Sequence, residues 1–108
     1  MAPLRSIRFD RNAPAAPDRE TTVPWYRDPT GAFESGFWAD PAPRSAAIAY
    51  EEDELCVLLA GKVRITDEDG ESQTYEAGDA FVIPRGFRGI WETVEPVRKF
   101  YATHKPAD

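Results

Sequence analysis

Apolar and polar residues alternate in short runs along most of the chain, and no ten-residue window shows the 3.6-residue period of an amphipathic helix. Between residues 54 and 91 five glycines separate these runs, and Pro84 stands where a strand must end. Turns spaced at about eight to twelve residues are typical of a β-sandwich or a small barrel. The pattern therefore predicts an all-β protein.

The N-terminal third is predicted to be irregular. Residues 4–9 alternate and indicate a short edge strand, and the Pro/Ala-rich residues 12–20 predict an extended arm. A turn at residues 28–31 joins two aromatic-rich strands. The aromatic pairs beside it, residues 25–26 and 37–38, favour core or interface packing, with a ligand pocket as the alternative.

The rest of the chain is predicted to be regular. Residues 44–50 form a strand of small side chains, and the next apolar strand ends at Gly61. Asp69-Gly70 is a strong hairpin signal because glycine tolerates positive φ. A short strand over residues 80–83 and two final strands divided at Pro96 complete the prediction. The domains expected are an arm over 1–24, a barrel over 25–103 and a tail over 104–108.

Composition narrows the function classes. A chain of 108 residues with a formal charge of −6 fits one globular domain and disfavours nucleic acid and anionic membranes as partners. No apolar run approaches the roughly 20 residues of a membrane span. The single cysteine, Cys56, has no partner for an internal disulfide, so we expect a protein of the reducing cytoplasm.

Two spacings carry a family resemblance. Glu54 precedes Gly61 across six residues, and Gly78 precedes Pro84-x-Gly86 across five. These resemble the two cupin motifs, and residues 25–102 are similar to the small single-domain cupins of the ethanolamine-utilisation and ureidoglycine-aminohydrolase-like group. The resemblance implies a double-stranded β-helix (an RmlC-like jelly roll), a pocket in the mouth of the barrel and a homodimer.

The same resemblance implies where a metal would bind. Metal-binding cupins supply two histidines and a glutamate from the first motif and a third histidine from the second. Glu54 retains the glutamate. The histidine pair falls on Ala47 and Ala49 or, in a register shifted by one residue, on Ile48 and Tyr50, and the third histidine falls on Gly89. The standard histidine-based metal site is therefore predicted to be absent. The only histidine, His104, lies in the predicted tail.

A pocket without that metal site remains. Strand alternation places Glu54, Cys56 and Leu58 on one face of their strand. Seven residues are predicted to line the pocket: Ala47, Ala49, Cys56, Phe87, Gly89, Trp91 and Tyr101. Whether Trp91 fills this space or a ligand enters it is left open. Cys56 is expected to be a small buried residue.

Glu54 admits two interpretations. In an apolar barrel its ionised form would be disfavoured, which suits proton transfer together with Tyr50 or Tyr101. Alternatively it forms a structural ion pair with Arg85, Arg98 or Lys99.

Three functions follow. The first is a small-molecule-binding barrel without a cofactor. The second is an enzyme acting on a small nitrogenous, carboxylic or sugar substrate, with Glu54 and Tyr50 as acid and base or with a divalent metal held by Glu52 and Glu54. The third is a dimerising structural subunit built on the aromatic front segment.

Overall fold

Seven antiparallel strands make up the fold, and the computed structural model describes residues 6–10 and 18–106. The strands are β1 (Thr21–Arg27), β2 (Phe33–Asp40), β3 (Arg44–Ala49), β4 (Asp53–Asp67), β5 (Ser72–Glu76), β6 (Ala80–Ile83) and β7 (Arg88–His104). The described part of the chain contains no helix, so the all-β prediction is confirmed. None of these residues forms a helix able to span a membrane.

Two long strands organise the sheet. β4 and β7 pair along almost their whole length, and each takes part in both halves of the fold. In the first half the order is β1-β2-β7-β4-β6, and in the second half it is β3-β7-β4-β5. The sheet curls so that the two halves face each other, which is the jelly-roll arrangement predicted.

The two expected strand breaks are absent. Gly61 lies inside β4 and Pro96 lies inside β7, so each predicted pair of strands is one bent strand. The pairing of β4 with β7 is irregular between Leu58 and Val63. Gly61 has a φ of +88°, and a Cβ there would lie 2.1 Å from the carbonyl oxygen of Pro96. Glycine and proline therefore bend the strands here instead of ending them.

The turn predictions are confirmed. The Asp28 carboxylate accepts hydrogen bonds from Thr30 and from the backbone N–H of Phe33 at 2.9 Å, which closes the β1–β2 turn. β4 and β5 join across residues 68–71, with the Gly70 N–H donating to the Asp67 carbonyl. Asp79 accepts from the backbone N–H of Glu76 at 2.8 Å within its own turn.

The ends differ from expectation. Residues 6–9 are not a strand, although Phe9 packs edge-on against Trp25 and Phe100 with ring centroids 4.8 and 5.1 Å away. Residues 4–5 and 11–17, which carry the rest of the predicted strand and most of the arm, lie outside the described residues. The sheet begins at Thr21, and His104 is the exposed last residue of β7 and not part of a tail.

Apolar side chains form two clusters, one on each face of the first half. The inner cluster joins both halves and contains Cys56, Leu58, Val63, Ile65, Ile83, Trp91 and Val97. The outer cluster centres on Phe37 and Ala39, which are fully buried under Val23, Trp25 and Phe100. Trp38, Ile48 and Tyr50, which are partly buried, pack against the inner cluster and also line the cavity described below.

The bend at Gly61 can be tested with a matched pair of substitutions. Gly61 and Gly70 both have φ of +88°, but a Cβ at Gly70 meets nothing within 4 Å. Gly70→Ala should cost about 1–2 kcal/mol for the left-handed conformation alone. Gly61→Ala should cost at least about 3 kcal/mol in urea unfolding, because it adds a clash with β7. Equal losses in the two variants would contradict a close approach at Gly61.

Candidate functional site

A cavity of about 590 Å³ opens between the two halves of the sheet. Its walls come from β1, β2, β3, β7 and the beginning of β4, and they carry the aromatic residues Trp38, Tyr50, Trp91 and Tyr101. Trp91 is 4% exposed and forms part of the wall, so it does not fill the space. Ligand pockets commonly have volumes of about 300–1,000 Å³.

A buried ion pair lies on the cavity wall. The Lys99 ammonium donates to Glu54 Oε2 at 2.7 Å, and the two side chains are 5% and 12% exposed. Lys99 Nζ also lies 4.6 Å from the ring centroid of Trp38 and 4.5 Å from that of Trp91. The two rings meet edge to face at 86°. One carboxylate and two aromatic rings therefore stabilise this ammonium. We call Lys99, Glu54, Trp38 and Trp91 the lysine clamp.

Glu54 has further donors around it. Cys56 Sγ donates to Glu54 Oε2 at 3.2 Å, and Lys99 Nζ lies 3.5 Å from the same sulfur. Burial raises the pKa of Cys56 to about 12, which leaves a neutral thiol. Burial also raises the pKa of Tyr50, with the charge of Glu54 and a hydrogen bond to it adding to the shift. Glu54 is thus a carboxylate already surrounded by donors.

The two tryptophans of the clamp are tied to one hydrogen-bonded chain. Trp91 Nε1 donates to Thr93 at 3.0 Å, and Thr93 donates to the fully buried Asp40 at 2.5 Å. Arg44 Nε donates to the other oxygen of Asp40 at 2.7 Å. The chain continues from Arg44 to Glu20 at 3.4 Å, and Glu20 accepts from Trp38 Nε1 at 2.8 Å. Both indole rings are therefore held in fixed orientations.

A second ion pair lies on another part of the wall. Arg27 Nε donates to Glu34 Oε1 at 2.9 Å, and the Tyr101 hydroxyl donates to Glu34 Oε2 at 2.7 Å. The hydrogen bond from Tyr101, followed by that from Arg27, lowers the pKa of Glu34. Burial and the same hydrogen bond raise the pKa of Tyr101. Glu34 stays ionised and Tyr101 stays protonated at neutral pH.

The structure selects one of the two predicted registers on β3. Ala46 and Ile48 line the cavity, and Tyr50 lines it just after the strand. Ala47 and Ala49, predicted to line the pocket, are exposed on the opposite face, so that prediction is wrong. The positions corresponding to the histidine pair are therefore Ile48 and Tyr50. Alternation along β3 decides this, and the sequence alone did not fix its phase.

Other predicted pocket residues are divided between the cavity and the packing around it. Trp91 and Tyr101 line the cavity, whereas Cys56 is fully buried in the inner cluster. Phe87 packs against the inner cluster and contributes to a separate pocket of about 250 Å³. Gly89 pairs with Ile48, and a Cβ there would meet the Thr66 carbonyl oxygen at 2.1 Å and the Phe87 ring at 2.9 Å. Position 89 therefore has no room for a side chain directed at the cavity.

These positions do not fit the cupin metal centre. Ile48 and Gly89 offer no donor, Tyr50 is a phenol kept protonated, and Glu54 is paired with an ammonium at 2.7 Å. Among the described residues no three His, Cys, Asp or Glu side chains are grouped closely enough to hold a metal ion. Glu52 and Glu54, the alternative pair of metal ligands, both line the cavity, but the Glu54 carboxylate is already paired with Lys99.

Sequence reasoning missed several of the residues that matter here. Lys99 appeared only as one of three possible partners of Glu54, and the structure selects it. The sequence pattern did not single out Glu34, Asp40 or Thr93. The period of two that places Trp91 inward also places Thr93 inward, and the same rule links Trp38 with Glu34, so the signal was present.

The lysine clamp gives a stability prediction. Lys99→Met should destabilise the protein by about 3–5 kcal/mol in urea unfolding, because it leaves Glu54 as a buried, unpaired charge. The double variant Lys99→Met/Glu54→Gln removes both charges and should recover most of that loss. If the single and double variants unfold at the same urea concentration, the ion pair is not what stabilises this site.

Comparison with known proteins identifies the family. The EutQ-like cupin domain model matches residues 27–101. No curated protein matches the chain. A DUF861-family protein from Thermotoga maritima is 38% identical, with 60% of this chain and 73% of that protein covered and a TM-score of 0.58.

Two further solved structures support the fold. The putative ethanolamine utilization protein Q of Salmonella typhimurium is 24% identical over 92% of this chain and 80% of its own, with a TM-score of 0.72. The Cnp3 cupin domain of Schizosaccharomyces pombe is 16% identical over 94% of this chain and 76% of its own, with a TM-score of 0.78. The predicted resemblance is thereby confirmed: the chain belongs to the EutQ-like cupin domain family.

Proposed function

We propose that this cupin binds a small organic molecule in the cavity between its sheet halves. The observation that carries the proposal is the open space of about 590 Å³ beside the lysine clamp. Aromatic walls with a few fixed polar groups are the usual composition of a ligand pocket. In this proposal the Lys99–Glu54 pair is the polar anchor of the cavity, in the region where metal-binding relatives use a metal ion.

The preorganisation of the walls supports binding. The hydrogen-bonded chain from Trp91 to Trp38 fixes both rings, and Glu34 fixes the hydroxyl of Tyr101. A site whose side chains are already ordered loses little conformational entropy when a ligand enters. Lys99 carries three N–H donors and directs two of them to Glu54 and Cys56, so one donor is left for an oxygen of a ligand.

The acid–base alternative has weaker support. Burial, the charge of Glu54 and a hydrogen bond to it raise the pKa of Tyr50, so Tyr50 stays protonated and able to donate, as that mechanism requires. A catalytic base, however, needs a lone pair directed at the substrate. Glu54 Oε2 already accepts from Lys99 and Cys56. We therefore assign Glu54 first to holding the clamp and propose binding as the primary function.

Binding can be measured through the tryptophans. Two of the three tryptophans line the cavity, so a Trp25→Phe background leaves only Trp38 and Trp91 as emitters. A panel of small amines, alcohols, sugars and carboxylic acids should contain a compound that changes this emission saturably. Such a ligand at 100 times its dissociation constant should also raise the unfolding free energy by about 2.7 kcal/mol.

A pair of alanines provides the control. Ala46→Leu adds a side chain on the cavity wall and should weaken binding about tenfold or more, since the added methyl groups take up ligand space. Ala47→Leu makes the same change on the exposed face of the same strand and should have no effect. Equal affinities in the two variants, or a panel in which no compound binds, would contradict the cavity as a ligand site.

We also propose that two copies of the chain associate through the outer face of the first half. Outward positions on adjacent strands there are apolar: Leu55 pairs with Val82 and Ala102, and Val57 pairs with Phe100. Leu55 and Val82 are 43% and 56% exposed. This ladder has no charge in a chain of net charge −6, so it is where two copies meet with least repulsion.

Oligomeric state should respond to a charge placed on that ladder. Leu55→Glu should convert a dimer to a monomer in sedimentation equilibrium, because it would bury two carboxylates against each other. Ile90→Glu is the control, since Ile90 is 47% exposed on the outer face of the second half. A wild-type monomer at concentrations of tens of micromolar, or a dimer retained in Leu55→Glu, would count against this interface.

A cytoplasmic location is part of the same proposal. Cys56 is a free, fully buried thiol, which suits a reducing compartment.

A further inference from the structure

The charged groups of the cavity are unequally paired. Three cationic side chains line it, and each has a carboxylate partner: Arg27 with Glu34, Arg44 with Glu20, and Lys99 with Glu54. Arg44 also pairs with Asp40, which is fully buried behind it. Among the described residues every cation that faces the cavity is therefore already compensated, and an anionic ligand would find no unpaired positive charge among them.

One carboxylate remains. Glu52 lines the cavity and makes no hydrogen bond or ion pair with any residue that the structure describes. Glu52 follows Tyr50 by two residues, and both side chains line the cavity. The flanking acids differ, since Glu51 lies 3.8 Å from Lys105 and Asp53 accepts from the backbone N–H of Arg85 at 2.8 Å. Glu52 alone of the three faces the cavity without a partner among the described residues.

Building on the proposed binding function, we propose that the ligand is a small cationic amine whose ammonium group pairs with Glu52. An incoming ammonium ion gives Glu52 the counter-charge that the described residues do not supply, and a charge-assisted hydrogen bond is the stronger kind. The remaining donor capacity of Lys99 then serves a neutral oxygen or a ring face elsewhere on the ligand. The walls contribute aromatic contact at Tyr50 and Tyr101.

The overall charge acts in the same direction. With a formal charge of −6 the chain attracts cations from solution and repels anions. Of the residues that the structure describes, four carboxylates and three cations line the cavity, and buried Asp40 adds a further negative charge behind the wall. An acid would enter against both the local and the global field, whereas an amine enters with them.

The ligand class can be tested with compounds that share a skeleton and differ in charge. Three triads serve: glucosamine, glucose and glucuronate; 4-aminobutanol, 1,4-butanediol and 4-hydroxybutyrate; and benzylamine, benzyl alcohol and benzoate. Titration calorimetry at low salt should show binding by the amine of at least one triad, about tenfold or more tighter than by its neutral analogue, and no binding by the acid. Raising the salt concentration should weaken binding of the amine more than binding of its neutral analogue.

Two substitutions test which carboxylate pairs with the ammonium group of the ligand. Glu52→Gln keeps the shape of the side chain. It should weaken binding of the amine about tenfold and leave the affinity for the neutral analogue unchanged. Glu51→Gln makes the same change in net charge at an exposed neighbour and should leave both affinities unchanged. Equal effects of the two variants would assign the preference to the overall charge and overturn the role of Glu52.

The remaining outcomes distinguish an error in the ligand class from an error in the proposed binding function. If acids or neutral compounds bind and amines do not, the ligand class is wrong while the cavity function stands. If no amine binds in any triad, the ligand class is overturned, and the broader panel described above then decides separately whether the cavity binds at all.

Discussion

The ion pair between Lys99 and Glu54 is the interaction on which the rest of the site depends. Bringing an ammonium and a carboxylate into a barrel is costly unless both are well paired, and one acidic partner, a thiol and two indole faces compensate that cost here. The indole rings must in turn be held, which the hydrogen-bonded chain through Asp40 and Arg44 does. Side chains from three strands, β2, β4 and β7, thus surround one ammonium group.

This arrangement shows how a cupin fold can be kept without the histidine ligands of metal-binding cupins. Metal-binding relatives place a cation among histidines and a glutamate. In this chain the glutamate is retained as Glu54, and its counter-charge is the ammonium group of Lys99 on β7. The positions that correspond to the histidines are Ile48, Tyr50 and Gly89. The close approach of the Thr66 carbonyl to Gly89 leaves no space for a histidine there. The change therefore extends to the backbone around the site.

Much of the architecture could be predicted from the sequence, because the glycine spacing and the period of two depend on the local backbone geometry. The turn at Asp28, the hairpin at Gly70 and the inward side of β4 follow from such local rules. Gly61 and Pro96 were misread, since they face each other across β4 and β7 and bend both strands together. In the sequence, each of these residues predicts the end of a strand. Their contact across the sheet shows that each strand bends there and continues.

The site was less predictable for a similar reason. The inward position of Glu54 followed from alternation, but the choice of Lys99 over Arg85 or Arg98 depends on which strand lies opposite. The phase of β3, which puts Ile48 inward and Ala49 outward, is set by its pairing with β7. Residues such as Asp40 and Arg44 acquire a role only because the fold brings the ends of β2 and β3 beside Thr93.

The most direct test of the account is the side-chain NMR signal of Lys99 in the untreated protein. An ammonium held between two indole rings should show methylene and N–H protons shifted to high field by the rings, with slow exchange of the N–H protons. These signals should be unchanged by a chelator or by added divalent metal. A Lys99 signal at the position of free lysine, exchanging rapidly with water or moving when metal is added, would contradict the clamp as the centre of the cavity.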